Sequence, residues 1–533
     1  MKKKILTAVV ALVIGLCGCS SDKNKGETQP DSEIKAVSAD IKKNGNDIGL
    51  YMRQPSTFNP LLNEDESVNM VLRLVFEPLI AIDASFKPAA NIAESWYFSN
   101  EGKTVTLKLK SGLKWHSGAN ITAGDVVYSI NTLKGADEKA LYKKCVQYID
   151  DAYAADSYTV NINFTRAFYG NIYALTFPLI PSGLGSVQNV YEGTESMAAV
   201  GSGSFEFSSY SASKYLTLKK AQSCVGKEAT SEKINVVISK DSDTDFYYFT
   251  DGSTDCIYGK TSYFTGRKLP ARAAGYAYNT TDYDFIGFNF KNEILRDKNV
   301  RKAIAYAVPK NDIAEVIYLS SAVITDSPIN PSSWLYEEDT VKYDYDLGRA
   351  KEMLDQSGWV NTETGKIRSK ATESGVKSLK VSILVNTENE QRRQCAKRMA
   401  DELMSIGFDV AVKEEAFGEY SAMVKGGNYD IVIGGWELSY DNDLGVLFGN
   451  GGNNIINYND ETMNTYLENM YNAVGENSVK EAYSNLQKYI SEELPYISLV
   501  FKTDKIYTGG DITGGEGALP GWVYSEVYRW YKR

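Results

Sequence analysis

Apolar positions recur along this chain with two different periods, which predicts strands and helices in alternation. Valine and leucine alternate with polar residues from 105 to 109, which is the spacing of a half-exposed strand. Thr122 and Asp125 then stand three residues apart, as in a capping box, and apolar residues follow at helical spacing from 126 to 133. These features predict a strand, a turn and a helix in succession.

A second region of the same kind begins near Asp284. Alternation over 285–290 predicts a strand that carries Asn289 and Phe290 at its end. Asp297 is placed to cap a helix, and Pro309 is placed to end it. This strand and helix predict the entry into a further α/β unit.

The clearest pattern lies in the last third of the chain. Strand-like and helix-like periods alternate there, and such a β-α-β-α-β unit normally forms a parallel sheet with right-handed crossovers. Ligands of parallel sheets bind beyond the carboxyl ends of the strands. The predicted strands are 379–385, 408–412 and 430–433, and the predicted helix stripes between them are 396–403 and 417–424.

The predicted loop after the third strand is the best candidate binding site. Gly434 and Gly435 allow close approach to the backbone, and rings and carboxylates follow them. The alternative interpretation is a surface loop whose tryptophan covers a helix. The candidate ligand-binding residues in this predicted loop are Trp436, Glu437, Leu438, Ser439, Tyr440 and Asp441.

The amino-terminal segment has the form of an export signal. Three lysines precede an apolar run of about twelve residues, too short to span a bilayer and suited to the centre of a signal peptide. The run ends in Leu-Cys-Gly-Cys, which is typical of a lipoprotein signal. We therefore predict a signal peptide over 1–18, lipid attachment at Cys19 and a flexible tether over 19–46. An ordinary secretory signal is the alternative.

Composition narrows the possible functions. The 533 residues carry a net charge of −11, with one histidine and six cysteines. An acidic chain is unsuited to coating nucleic acid, and a single histidine disfavours a histidine-based metal site. Cys224 and Cys256 can pair after export, or they can remain buried thiols. We therefore expect no nucleic-acid partner, no metal and no cofactor.

Catalytic and phosphate-binding motifs are not apparent. Segments 201–206, 241–252 and 254–261 each lack residues that dinucleotide, calcium and phosphate-loop motifs require. The 68 acidic residues always offer carboxylate pairs, and no spacing selects one of them. A secreted, lipid-anchored hydrolase of the glycosidase kind, working through two carboxylates, stays open as an alternative function.

Several segments, taken in order, resemble the family 5 solute-binding proteins of ABC importers, the oligopeptide-, dipeptide- and nickel-binding group. The likeness extends from about residue 48 to the carboxyl terminus. The segments that carry the resemblance are 91–96, 102–109, 113–118, 122–128, 200–203, 297–307, 350–358 and 435–436.

The resemblance implies an α/β, two-lobed periplasmic-binding-protein-like fold of type II, cluster C, with an extra inserted domain. Domain II would be inserted into a discontinuous domain I, and domain III would form the ligand-binding lobe. The implied boundaries are 47–79, 199–283 and 496–533 for domain I, 80–198 for domain II and 284–495 for domain III.

The resemblance also implies a function. The protein would be a lipid-anchored extracellular receptor that captures a small solute by hinge closure and delivers it to an ABC permease with its associated ATPase, without catalysis. We expect a monomer held on the extracytoplasmic face of the cell membrane through the lipid on Cys19, on a cell surface or in a periplasm. A surface peptide sensor without a transport role is a further alternative.

An oligopeptide or dipeptide is the solute that the resemblance favours. Peptide receptors of the family carry an aspartate three residues after the loop tryptophan, and some carry an arginine three residues before it. Ser439 and Ile433 stand at those positions here, so Glu437 or Asp441 is left to meet a cationic group. Nickel chelates, opine-like compounds and oligosaccharides stay open as other solutes.

Two further segments are candidates for the pocket. Residues Glu66, Ser67 and Asn69 match an early loop that lines the pocket in relatives. Asn289 and Phe290 follow the strand that enters domain III. We expect both segments to contribute to the ligand-binding cleft.

Overall fold

A computed structural model describes residues 47–182, 199–361, 367–373, 375–449, 454–519 and 521–533. The predicted signal peptide, Cys19 and the tether lie outside the described residues, as do residues 183–198 of predicted domain II. Among the helices that are described, none is both long enough and apolar enough for a membrane crossing.

Strands and helices alternate through the described residues. The strands are β1 (Ile48–Met52), β2 (Ile80–Ile82), β3 (Pro88–Ala90), β4 (Ala93–Ser99), β5 (Thr104–Leu109), β6 (Ile149–Asp156), β7 (Thr159–Phe164), β8 (Phe205–Ser211), β9 (Tyr215–Lys220), β10 (Lys233–Ile238), β11 (Cys256–Lys260), β12 (Ala274–Phe288), β13 (Ala322–Ile324), β14 (Val360–Asn361), β15 (Arg368–Thr372), β16 (Gly375–Ser378), β17 (Lys380–Asn386), β18 (Asp409–Glu415), β19 (Ile431–Glu437), β20 (Tyr496–Thr508), β21 (Ile512–Thr513) and β22 (Tyr531–Lys532).

The helices vary in length from single turns to five turns. They are α1 (Glu66–Leu72), α2 (Ala123–Lys134), α3 (Ser242–Asp251), α4 (Thr261–Phe264), α5 (Glu293–Arg296), α6 (Lys298–Ala307), α7 (Lys310–Asp312) with the π-helical turn Ile313–Ile317, α8 (Leu347–Gln356), α9 (Glu390–Ser405), α10 (Phe417–Gly426), α11 (Gly445–Phe448), α12 (Glu461–Asn472) and α13 (Glu476–Glu493); the 3-10 turns are Asn100–Gly102, Lys143–Val146, Tyr169–Leu175 and Val527–Arg529.

The sheets divide the molecule into two lobes. The first lobe contains a sheet of order β1-β10-β9-β8, with β1 parallel to β10, and an antiparallel sheet of order β4-β5-β7-β6. The sheet of order β11-β20-β12-β19-β17-β18, with β13 beside β20, begins at β11 in the first lobe, where Tyr258 stacks on Tyr51 of β1, and forms the centre of the second lobe. The α/β class predicted from the sequence is therefore confirmed.

Local sequence signals account for several of these elements. Thr122 and Asp125 form the predicted capping box at the start of α2, and Asp297 caps α6 through the amide of Asn299. The predicted β-α-β-α-β unit is β17-α9-β18-α10-β19, and β17 is parallel to both other strands. Because β19 also pairs antiparallel with β12, the sheet is mixed rather than wholly parallel.

Two long antiparallel strands run through both lobes. The first part of β12 pairs with the second part of β20, from Ala274 opposite Thr508 to Asn279 opposite Thr503. Pairing resumes where Tyr283 lies opposite Phe501, after a shift of register. The division into domains I, II and III stays a prediction, and β12 crosses the expected boundary after residue 283 without a break.

The four cysteines after residue 46 are all free. Cys256 is buried on β11 and Cys395 is buried on α9, whereas Cys145 and Cys224 are half-buried. The structure therefore agrees with thiols rather than with a bridge between Cys224 and Cys256.

A buried ion network fixes the second half of β12. The carboxylate of Asp284, which has no exposed surface, accepts hydrogen bonds from Arg392 Nη2 at 2.6 Å and Tyr318 Oη at 2.6 Å, and Lys502 Nζ lies 3.1 Å away. Burial alone would raise the pKa of Asp284, but the charges of Arg392 and Lys502 outweigh burial and hold the pKa at about 2. The network joins β12, β20 and α9.

The substitution Asp284→Asn should lower the free energy of unfolding by about 3–5 kcal/mol, because it leaves two cationic side chains buried without a counter-charge. Urea unfolding of the full chain measures this loss. Asp401→Asn, at an exposed position of α9, is the control and should change the free energy by less than about 0.5 kcal/mol. Equal stability of the two variants would contradict the role of the network.

Candidate functional site

One face of the sheet around Trp436 is lined with aromatic rings. The register of β12 and β19 places Trp436 directly opposite Tyr283, and Phe285 lies on the same face two residues further along β12. The rings of Trp436 and Phe285 are stacked with their centroids 6.4 Å apart, and Tyr283 contacts Phe501 at 5.2 Å. The buried Nε1 of Trp436 has no hydrogen-bond partner among the described residues.

The loop predicted to begin at Gly434 begins later, at Leu438. Strand β19 continues to Glu437, because its last residues pair with β12. The two glycines do not admit a ligand: a Cβ on Gly435 would lie 2.0 Å from Arg392 Nη2 and 2.2 Å from Asp284 Oδ1. The close approach that glycine allows here is that of the buried ion network.

The loop from Leu438 to Asn442 lies between the lobes and lines a small pocket with a free volume of about 20 Å³. The first lobe contributes Phe86, whose ring centroid is 6.0 Å from that of Tyr440. Thr281 contributes from the register shift of β12. The residues that line the pocket are Phe86, Thr281, Pro328, Asn330, Leu438, Ser439, Tyr440, Asn442 and Phe501.

Polar contacts hold this loop against both lobes. Arg166 of the first lobe pairs with Asp443 at 2.8 Å, and Tyr483 of α13 donates a hydrogen bond to the carbonyl of Asn442 at 2.8 Å. Trp334 of the second lobe donates from Nε1 to Tyr173 Oη at 3.0 Å. The lobes therefore meet around the pocket, and the structure is that of a closed cleft.

Ser439 and Asp441 satisfy each other within the loop. The hydroxyl of Ser439 donates to the carboxylate of Asp441, which also accepts the amide of Asp443 at 3.1 Å. Burial raises the pKa of Asp441. Of the two carboxylates considered for a cationic ligand group, Asp441 is thus used to shape the loop.

Glu437 has a different environment. It lies directly opposite Asp282 in the pairing of β19 with β12, and Glu66 and Asp504 belong to the same acidic neighbourhood. The carboxylates of these four residues make no hydrogen bond or ion pair with the described part of the chain. Burial raises the pKa of Glu437, followed by the charges of Asp282 and Glu66, and burial raises the pKa of Asp504 to about 6. Like charges in opposed strand positions are destabilising, although Glu437 and Glu66 are exposed to solvent and the charges of Lys144 and Lys260 act in the opposite direction on Glu437.

The predicted early loop is helical. Glu66, Ser67 and Asn69 lie in α1, which is capped by Asp65. Ser67 donates to Asp65 Oδ1 at 2.6 Å, and the buried amide of Asn69 accepts from Tyr142 Oη at 3.0 Å. Glu66 is therefore the member of this segment that keeps an unused polar group at the acidic edge.

Asn289 and Phe290 lie away from the pocket. The pairing of β12 with β19 places Phe288 opposite Ile431, six residues from Glu437, which is about 20 Å along the strand. Asn289 donates to the carbonyls of Gly427 and Tyr429, and the ring of Phe290 packs on Tyr458 at 4.7 Å. The expectation that both residues line the same cleft as Trp436 does not fit this geometry.

Metal-binding groups are absent from the described ranges: no cluster of three or more histidine, cysteine, aspartate or glutamate side chains is placed to hold an ion. The half-buried ring of His116 donates a hydrogen bond from Nε2 to the carbonyl of Gly203 at 2.9 Å, and burial lowers the pKa of the ring. This histidine serves the packing of its turn.

Residues 87–457 of this chain match a family model that describes the bacterial extracellular solute-binding proteins, family 5. The chain belongs to this family. The match includes the predicted signature segments from residue 91 to residue 128, the loop after β19 and most of the second lobe.

Relatives in family 5 are similar to the chain over nearly its whole length. The oligopeptide-binding protein AppA of Bacillus subtilis is 23% identical over 538 residues, which cover 96% of this chain and 95% of AppA. A nickel ABC transporter protein of Bacillus halodurans superposes with a TM-score of 0.78 at 17% identity, over 91% of this chain and 100% of that one. AppA of Bacillus subtilis in complex with a nonapeptide superposes with a TM-score of 0.56 at 21% identity, over 91% and 99%. The two-lobed fold is therefore that of periplasmic binding proteins.

The candidate pocket includes residues that sequence patterns did not indicate. Phe86, Thr281 and Phe501 come from three distant segments and meet only in the folded chain. None belongs to a local motif. The opposition of Asp282 to Glu437 likewise depends on strand register, which the alternation of residues alone does not specify.

The substitution Gly435→Ala should destabilise the protein by more than about 2 kcal/mol, because the new methyl group would collide with the buried Asp284–Arg392 pair. Gly418→Ala is the matched control: its Cβ meets open space within α10, and it should stabilise the protein by about 0.5–1 kcal/mol. Urea unfolding compares the two variants. A tolerated alanine at 435 would show that this glycine is not required for the ion network.

Proposed function

We propose that the protein is the lipid-anchored receptor of an ABC importer, which captures an oligopeptide or dipeptide between its lobes and delivers it to a membrane permease driven by a separate ATPase. Membership of family 5 supports extracellular solute binding. The observation that carries the proposal is the pocket between Phe86 of one lobe and Leu438–Asn442 of the other. A solute that binds in such an enclosed site is buried from water, and its binding needs no catalytic group.

Peptide is the solute class with most support. AppA, a relative over nearly the whole chain, is an oligopeptide-binding protein and has been solved with a nonapeptide. The edge formed by Glu66, Asp282 and Glu437 offers negative charge to the peptide ammonium, where Ser439 offers none. The aromatic face of Trp436 would support the apolar part of the peptide.

Hinge closure has a structural basis in β12 and β20. Regular pairing is interrupted between Asn279 and Tyr283, where the strands pass from one lobe to the other. A change of backbone angles at such a short segment can rotate one lobe against the other. The contacts of Arg166 with Asp443 and of Tyr173 with Trp334 then belong to the closed form.

The remaining parts of the proposal concern location and assembly. The lipid on Cys19 would hold the protein on the extracytoplasmic face of the cell membrane, and the tether of residues 19–46 would let the lobes reach the permease. The receptor would act as a monomer and would carry out no chemistry, with binding energy spent on burying the solute.

Binding of peptides by the purified full chain tests the proposal. An equimolar mixture of tripeptides should raise the melting temperature in a concentration-dependent way. Trp436→Ala should weaken binding by about 10- to 100-fold, because an aromatic surface of the cleft is lost. Isothermal titration calorimetry provides the affinities.

Tyr97→Ala removes an aromatic side chain that is 56% exposed in the first lobe and serves as the control for this experiment. It should bind as the wild type does. Failure of the wild type to bind any tripeptide would contradict peptide as the solute class. Equal affinity of wild type and Trp436→Ala would remove this tryptophan from the site.

Peptide affinity should fall on acidification. The charged form of Glu437 attracts the ammonium, and its pKa is raised above the ordinary value of about 4.3. Binding energy is therefore fully present above the raised pKa and is lost as the pH falls through it, while the peptide ammonium, with a pKa of about 7.7–8.0, stays protonated below about pH 6.5. Titrations from about pH 6.5 to pH 4 should show this loss for the wild type and a flatter profile for Glu437→Gln. Glu468→Gln, an exposed control on α12, should keep the wild-type profile; a steep profile in Glu437→Gln would contradict the assignment.

A further inference from the structure

Arg73 carries a charge that nothing in the described residues neutralises. The residue follows α1 directly, as its carboxyl-terminal cap, and its side chain is half-buried. The guanidinium lies over the ring of Trp522, with Cζ 4.2 Å from the ring centroid. Its buried Nε has no hydrogen-bond partner, and the guanidinium makes no hydrogen bond or ion pair with any part of the chain that the structure describes.

This makes Arg73 different from the other arginines of the described ranges, each of which forms at least one hydrogen bond or ion pair. Arg53, for example, makes two bonds of 2.7 Å to Asp245, and Arg166 pairs with Asp443 at 2.8 Å. A guanidinium is charged at any accessible pH, and holding it half-buried without a partner is unfavourable. A partner from outside the chain would remove that penalty.

The surroundings of Arg73 place it at the interlobe cleft. Asn69, one turn earlier on α1, is bonded to Tyr142, and the charge of Arg73 acts on both Tyr142 and Tyr440. Tyr440 lines the interlobe pocket, and its hydroxyl lies 2.9 Å from the position of a Cβ on Gly521, the neighbour of Trp522. Arg73 therefore belongs to the wall that faces the loop after β19.

Glu77 is an acidic residue whose pKa responds to the charge of Arg73, and it is only partly ionised near neutral pH. Burial raises the pKa of Glu77 to about 7, against the opposing influence of a hydrogen bond from Asn91 and the charge of Arg73. Near neutral pH this carboxyl is about half protonated. Glu77 forms no ion pair with Arg73 among the described residues, so the positive charge of the guanidinium is left uncompensated on the cleft side.

We propose that Arg73 binds a carboxylate of the solute, and for the peptide of the proposed function, on which this inference rests, the carboxyl terminus. The planar guanidinium can offer two parallel N–H donors to a carboxylate, and its contact with the ring of Trp522 holds it in place before the solute arrives. Ile433, at the position where some family receptors carry an arginine for this group, cannot take that role. Glu437 and Arg73 then attract opposite ends of the peptide and set its direction in the cleft.

Two mixtures of tripeptides test this role: one with free carboxyl termini and the same mixture with amidated termini. The wild-type full chain should bind the free acids about 10- to 100-fold more tightly than the amides, the range expected for a charge-assisted bidentate pair. Arg73→Gln should lose most of this preference by weakening binding of the acids while leaving binding of the amides unchanged. Calorimetric titration measures all four affinities.

Stability separates a binding role from a structural one. Arg73→Gln should melt close to the temperature of the wild type in the absence of peptide, because only the contact with Trp522 is lost and no hydrogen bond or ion pair is. Arg53→Gln is the matched control and should melt lower, because Asp245 loses its bidentate partner. A fall in the melting temperature of Arg73→Gln as large as that of Arg53→Gln would assign Arg73 to the fold and overturn the inference.

The outcomes distinguish the two proposals. Binding of acids and amides with equal affinity by the wild type, or an unchanged preference in Arg73→Gln, would overturn the role of Arg73 and leave peptide capture intact. Absence of binding to both mixtures would overturn peptide capture and, with it, the assignment of the carboxyl terminus. Arg73→Lys, which keeps the charge but not the planar pair of donors, should show an intermediate preference.

Discussion

The antiparallel pair of β12 and β20 is the constraint on which the rest of the molecule depends. Its first half completes the sheet edge of the first lobe with β11, and its second half supports β19 and the parallel unit beyond it. The register shift after Asn279 lies where the lobes meet, so the same two strands provide rigidity within each lobe and a place for rotation between them. Thr281, in this shift, also lines the pocket.

The sheet of the second lobe separates charge from aromatic surface. Asp284 points to the face that carries Arg392, Lys502 and Tyr318, whereas Tyr283 and Phe285 point to the opposite face and build the surface around Trp436. Buried charges are stable only when paired, and the closed network meets that requirement without using the cleft. The cleft keeps the unpaired charges, which are carboxylates at one edge and Arg73 against Trp522.

Much of the fold could be predicted because local signals agree with the final structure. The helix after Asp297 and the unit from β17 to β19 are specified by capping residues and by periods that tertiary packing preserves. The ligand-binding role of the loop stays a prediction. Leu438, Ser439 and Tyr440 line the pocket, whereas Gly435, which was expected to let a ligand approach the backbone, makes room for Arg392. Glycine indicates close approach without indicating what approaches. Sequence patterns did not indicate Arg73, because what sets it apart is that its guanidinium has no hydrogen-bond or ion-pair partner among the described residues. Only three-dimensional contacts reveal this.

The central claim is that the two lobes close around the solute. Small-angle X-ray scattering of the full chain, with and without the tripeptide mixture, tests it most directly. The radius of gyration should fall when peptide is added, and this fall should be lost in Trp436→Ala. A radius of gyration that stays constant while calorimetry shows peptide binding to the wild type would contradict enclosure between the lobes.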